Sequence, residues 1–319
     1  MDFKLTPEQE KLRQDVREFL KREVTEAVLR ESHGGQGVGP ASRALLRKMG
    51  TRGWLTPAWP KEYGGLGLTN LEKHIINEEL AYHNAPHGLV STSMAGPTIR
   101  IYGNEEQKKE WLPRIASGEI HFALGYTEPQ AGSDLAALEI KGVEDGDDFV
   151  VSGQKIFNTM CHWADYHWLG VRTDPAAPKH RGISLFIVDL KSPGITVREL
   201  RTLHERTNEV FYDNVRVPKK NLVGEMNRGW YYIATALDYE RNWEVGEAKS
   251  LFEDLVAFAK ETKRNGKPLS QDPLVRSKLA ELAIELEITD LLAWRVAWMQ
   301  VHEVLPTYEA AMVKVFGSE

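Results

Sequence analysis

Apolar residues recur at helical spacing towards both ends of the chain and in short alternating runs between them. Near the start, Leu12, Val16, Phe19 and Leu20 form one stripe, which predicts a helix over 7–29. Thr6 or Pro7 starts it, and Glu8 and Glu10 suit its positive end. Residues 31–40 hold four glycines and read as a loop, because glycine disfavours a regular element. Further helices are predicted over 41–50, 69–85, 89–102 and 105–118. Leu71, Ile75, Ile76 and Leu80 mark the second of these, and Trp111, Leu112 and Ile115 the last. A turn-rich crossover runs from Trp54 to Gly65, its aromatic residues read as packing.

The pattern changes near 121. Short runs follow at roughly 138–143 and 149–152, then Trp168–Val171, Ile183–Val188 and Glu209–Tyr212, divided by Gly, Asp and Pro turns. This spacing predicts a compact β domain and not βαβ units. Helical periodicity returns after Pro218, with a helix introduced by Met226–Trp230 and running to about 263. A loop over 264–269 and helices over roughly 272–302 and 305–317 complete the reading. The predicted domains are 1–120 (α-helical), 121–222 (β) and 223–319 (α-helical).

Composition narrows the class. An apolar share of 42% and a charged share of 27% are those of an ordinary soluble globular protein. The lone Cys161 excludes an intrachain disulfide and fits a reducing compartment, so a cytoplasmic location is expected. No basic segment followed by an apolar run opens the chain, and no apolar run reaches 18 residues, so neither a secretory signal nor a membrane span is expected. A net charge of −6 gives no support to nucleic-acid binding. GxGxxG and Walker A patterns are absent, and His162, His167, His180 and His204 have no compact ligand spacing, so no metal site is expected.

The richest chemistry lies in 121–160. Tyr126, Thr127, Glu128, Gln130, Ser133 and Asp134 crowd together with Gly125 and Gly132 among them, the mark of a functional loop held by a sheet. The string Gly125–Asp134 (GYTEPQAGSD) resembles the signature of the acyl-CoA dehydrogenase flavoprotein family. Gly153–Thr159 (GQKIFNT) is similar to that family's second flavin-side segment, and Pro60–Leu68 to a further one. The resemblance covers residues 5–319 and is nearest in wording to actinobacterial members, including sterol side-chain acyl-CoA dehydrogenases. It implies a multidomain α+β fold: an N-terminal helical domain, a central β-barrel-like domain and a C-terminal helical bundle that lacks the family's last helices. It also implies FAD.

By resemblance, Thr127 serves the flavin edge where charge gathers on reduction, with Leu124 and Tyr126 lining the ring. Phe157 stands where many members have tryptophan. Thr159 matches the threonine that approaches flavin N5, with Asn158 one register away as the alternative. Ser133 matches contacts to cofactor phosphate or the thioester arm, and Asp134 is expected to hold the loop. Arg264 lies near the place of an arginine that reaches the diphosphate in a neighbouring subunit, although the Phe-Gly that follows it in the family is missing here.

Removing a proton next to a thioester carbonyl needs a positioned carboxylate. One branch of the family takes it from a late helix, beyond the end of this sequence. A second branch places it in a Leu-Asx-x-Glu-Arg string, here Leu237–Arg241, which makes Glu240 the expected base. Asp238 and Arg241 match residues that hold CoA. The implied partners are an acyl-CoA, an electron-transfer flavoprotein, and a second copy (as homodimer or tetramer) or a related subunit. Two other classes stay open: a non-catalytic subunit of a heteromeric assembly, and a flavin-dependent monooxygenase or oxidase on the same fold.

Overall fold

The structure, a computed structural model, describes residues 3–32, 39–203, 206–240, 244–302, 304 and 306–318; at 206, 238–240 and 307 it describes the backbone. Part of the expected 31–40 loop therefore lies outside the described residues.

The N-terminal helices are α1 (Pro7–Glu23), α2 (Glu26–Glu31), α3 (Pro40–Thr51), α4 (Asn70–Tyr82), α5 (Gly96–Tyr102) and α6 (Glu105–Ala116). The predicted 7–29 helix is two helices. Val24 is extended, and the Thr25 hydroxyl accepts from Val28 N–H to start α2. The predicted 89–102 helix begins instead as a π turn, Ser91–Ala95, before α5. Gly96 follows that turn because a Cβ there would lie 2.1 Å from the Trp59 ring. Helix α4 packs on α1, where Arg17 grips the buried Glu79 through two hydrogen bonds of 2.9 and 2.6 Å.

The middle domain is a seven-stranded sheet: β1 (Phe122–Gly125), β2 (Lys141–Asp145), β3 (Asp148–Lys155), β4 (Tyr166–Arg172), β5 (Ile183–Asp189), β6 (Ile195–Arg201) and β7 (Arg206–Pro218). Its path is β1-β4-β2-β3-β7-β6, with β5 also on β4. β1 pairs with β4 from Phe122↔Tyr166 to Gly125↔Leu169, and β2 meets β4 next at Lys141↔Arg172. The polar 126–134 loop is thus an excursion between two strands that follow one another along β4. Trp168, Phe122 and Phe186 fill the core beneath. β6 is absent from the sequence prediction because Arg198, Glu199 and Arg201 break its apolar run; it is a charged edge strand.

The C-terminal helices are α7 (Gly229–Glu240), α8 (Gly246–Glu261), α9 (Pro273–Val301) and α10 (Thr307–Ser318). The predicted helix to 263 is thus divided between α7 and α8, with 241–243 outside the described residues. The expected 264–269 loop is a hairpin, Lys263↔Pro268 and Arg264↔Lys267, turned by Asn265 and Gly266 at φ 56° and 79°. Asn-Gly is the pair that such a tight turn favours. Helix α4 packs on α8 and α9, while α7 packs on β5, the π turn and α5. Both contacts tie the C-terminal helices to the N-terminal domain, and α7 ties them to the sheet as well. No helix among the described residues is long and apolar enough to cross a membrane.

Candidate active site

The loop after β1 and the segment after β3 form one rim. Ile156 N–H donates to Thr127 O at 2.9 Å, and Asn158 Nδ2 donates to Leu124 O at 2.8 Å. These bonds bring together Leu124, Tyr126, Thr127, Phe157 and Thr159, which lie up to 35 residues apart in sequence. Leu124, Thr127 and Thr159 are half-buried. Phe157 is 61% exposed, with its backbone held at φ 57°, so an aromatic ring stands at the surface on a constrained backbone. Tyr126 differs. Its phenol lies in the core, where its oxygen accepts from Trp168 Nε1 at 3.1 Å, and its carbonyl accepts from Lys155.

A buried ion pair braces this rim. Lys155 Nζ meets Glu128 Oε1 at 2.8 Å and Tyr126 O at 2.8 Å. Glu128 also accepts from the N–H groups of Glu139 (2.6 Å) and Ile140 (3.0 Å) and from Gln130 Nε2 (2.7 Å). Burial pushes the Lys155 ammonium down to about 8, against the pull of Glu128. Neither residue received a role from the sequence. The available signal is parity: Lys155 falls in step with the inward-facing Phe149 and Val151 of β3.

Below the rim, His167 is buried with Nδ1 against the Tyr212 hydroxyl, and desolvation holds it down to about 3, so it is neutral. Ser133 is exposed on the outer part of the loop. Asp134, also exposed, is ion-paired with Lys179 at 2.8 Å.

Helix α7 packs on the core side of the loop, against the Tyr126 ring. At Gly170 of β4, a Cβ would meet Ile233 Cδ1 of α7 at 3.3 Å and Tyr126 Cδ1 at 3.8 Å, so the helix and the loop pack on the same glycine. Ile233 and Ala236 are buried and Leu237 half-buried. Position 240 lies seven residues beyond Ile233, about 10 Å further along the axis. The backbone at Asp238 and Glu240 is helical. Arg241 lies outside the described residues. Arg264 stands on the hairpin, which packs on α8, and is ion-paired there with Asp272 and with no residue of the rim. Elsewhere, His74, Glu78 and Asp290 approach one another, with the Lys249 ammonium on Asp290 at 2.8 Å and Glu78 at 3.4 Å.

The donors of the rim fit a flavin edge. Among the described residues, the Thr127 N–H, the Thr127 hydroxyl and the Thr159 hydroxyl have no hydrogen-bond partner. A planar heterocycle with acceptor atoms on its edge is the kind of group such a rim satisfies.

Comparison with known proteins agrees with this geometry. Family profiles described as the N-terminal, middle and C-terminal domains of acyl-CoA dehydrogenase match residues 6–119, 123–215 and 227–319. Acyl-CoA dehydrogenase FadE29 of Mycobacterium tuberculosis is 42% identical over 100% of this chain and 83% of its own length. The solved Tcur3481-Tcur3483 steroid ACAD is 39% identical with TM-score 0.91, over 99% of this chain and 82% of that one. The ChsE4-ChsE5 complex from Mycobacterium tuberculosis is 37% identical with TM-score 0.90, over 99% and 82%. The chain belongs to the acyl-CoA dehydrogenase family.

Proposed function

We propose that this chain carries out FAD-dependent α,β-dehydrogenation of an acyl-CoA thioester, with Glu240 as the base. The observation that carries the reading is the course of α7. It packs beside Tyr126 over Gly170, and its backbone stays helical to Glu240. The carboxylate at that end of the helix takes the proton from the carbon next to the thioester carbonyl. Bound FAD would supply the hydride acceptor. Leu124, Thr127, Phe157 and Thr159 would hold its ring, with Thr127 donating to the edge where negative charge gathers. The neutral His167 adds no positive charge beneath the rim, and the Glu128–Lys155 pair fixes the loop that presents Thr127. A bound acyl chain would exclude water from the carboxylate and so strengthen it as a base.

Asp238, Arg241 and Ser133 are assigned to the CoA arm, and Arg264 to the cofactor diphosphate of a neighbouring copy. The likeness to a steroid ACAD and to a two-protein complex supports a sterol- or lipid-derived acyl group and a multi-chain assembly. An electron-transfer flavoprotein is the proposed electron acceptor.

The test is spectroscopic. Purified protein is expected to absorb near 450 nm and to bleach anaerobically when mixed with an acyl-CoA it accepts. A preparation that cannot be loaded with FAD would instead support a non-catalytic subunit. Rapid reoxidation of reduced protein by oxygen would support an oxidase or monooxygenase.

A further inference from the structure

Thr127 is held from both sides by the end of β3. Its own carbonyl accepts from the Ile156 N–H at 2.9 Å. The carbonyl before it, that of Tyr126, accepts from Lys155 Nζ at 2.8 Å. Tyr126 O and the Thr127 N–H belong to one planar peptide group. Among the described residues that N–H has no hydrogen-bond partner, so the group is engaged at its oxygen and open at its nitrogen. Most buried backbone oxygens are satisfied by another backbone N–H. This one takes a fully buried ammonium.

The ion pair that holds the ammonium is uneven. Glu128 accepts from four donors: Lys155, the Glu139 and Ile140 N–H groups, and Gln130 Nε2. Lys155 has two acceptors among the described residues, Glu128 and Tyr126 O. The carboxylate's charge is therefore spread towards the start of β2, while the ammonium is committed to the 126–127 peptide. Stability alone does not call for a buried charge pair here, since apolar residues of like volume often serve as well or better. A cation on a peptide oxygen does what an uncharged donor does less well. It draws electron density from the amide and strengthens its N–H, because hydrogen bonds in series polarise one another.

We infer that Lys155 is a positioning residue for the redox step: bound to Tyr126 O, it strengthens the Thr127 N–H towards the cofactor edge where negative charge gathers, and so favours reduced FAD over oxidised FAD. The inference rests on the reading of the rim as the flavin seat.

The experiment measures the midpoint potential of the FAD-loaded protein by anaerobic equilibration with a reference dye. The wild type is compared with Lys155→Met and with the paired variant Lys155→Met, Glu128→Gln. The potential reports the ratio of the affinities for reduced and oxidised FAD. A loosened loop weakens both and leaves that ratio unmoved, whereas loss of a polarised donor weakens the hold on the reduced form. The paired variant removes both charges together, so it leaves no buried carboxylate unpaired. Its ratio should fall about two- to fivefold, about 10–20 mV for a two-electron couple. Lys155→Met alone should fall roughly tenfold or more, because the unpaired Glu128 then adds negative charge beneath the rim.

A second measurement needs no variant. Tyr126-Thr127 is the one Tyr-Thr pair in the chain, so carbonyl-¹³C tyrosine with ¹⁵N threonine marks this peptide alone. Its amide proton should move downfield when the FAD of the wild type is reduced, and move less in the paired variant. A paired-variant potential at or above that of the wild type would overturn the inference and leave Lys155 a brace. An amide signal that ignores reduction would overturn it whether or not the variants fold. A wild type that takes up no FAD would sink both the inference and the reading of the site. The expected order of potentials without bleaching by any acyl-CoA leaves the inference standing and sinks the dehydrogenase reading.

Discussion

At the rim of the middle domain, Lys155 donates to Glu128 and to the Tyr126 carbonyl, and Glu128 in turn accepts from the N–H groups of Glu139 and Ile140. At the cleft beside α4, Lys73 and Arg100 meet no partner among the described residues. Lys155 is fully buried, whereas Lys73 and Arg100 are half-buried on an open cleft. The rim balances its positive charge with the chain's own groups and so becomes scaffold, fully engaged before any ligand arrives. The cleft leaves its positive charge unbalanced and open to water. The difference teaches that burial of a charge is a weak guide to function, and that the accounting of its partners is the stronger one.

The largest effect should come from breaking the balanced side. Lys155→Met leaves the Glu128 carboxylate buried and unpaired, and should cost about 3–5 kcal/mol in urea unfolding. Adding Glu128→Gln to it should recover part of that loss, because the two changes act on one interaction. A single-variant loss within about 1 kcal/mol would show that the pair is not a brace.

The next effect concerns a buried group that stays neutral. Burial, aided by Arg43, pushes His121 down to about 4. As pH falls from about 6.5 towards 4, the unfolded chain takes up the proton first, so stability is lost across that window. The loss should reach roughly 3 kcal/mol. His121→Phe should flatten the acid side of a stability–pH curve measured by urea midpoints. An unchanged slope would mean that the imidazole is charged or solvated in the folded state.

The smallest effect should come from the unbalanced side. Lys73→Met removes a desolvated ammonium that no described carboxylate pairs, so stability should hold or rise by up to about 1 kcal/mol. A loss of several kcal/mol would give Lys73 a structural partner and erase the contrast with Lys155.

Much of this was legible in the sequence. The α–β–α order follows from periodicity, and the Gly125–Asp134 and Gly153–Thr159 strings carry the family and the rim. The break at Val24 was not, since an apolar stripe does not register one extended residue. The π turn escaped because a single i→i+5 turn leaves no mark in the apolar spacing, and the need for Gly96 after it arises only where Trp59 lies over it in the folded chain. The hairpin at Asn265-Gly266 had a local signal, but two-residue strands show no alternation. Tyr126 was assigned to the ring from its neighbours in sequence, whereas its hydroxyl belongs with Trp168 in the core. Glu128 with Lys155, and Lys73 with Arg100, depend on residues 27 apart in each case, brought together or kept free by tertiary packing. No spacing rule distinguishes those two pairs.

The most direct test of the central claim is single-turnover flavin reduction by an acyl-CoA, wild type against Glu240→Gln, with equal FAD loading confirmed beforehand. Loss of a positioned proton acceptor predicts reduction slower by about 10³-fold or more in the variant. Equal rates in the two proteins would contradict Glu240 as the base.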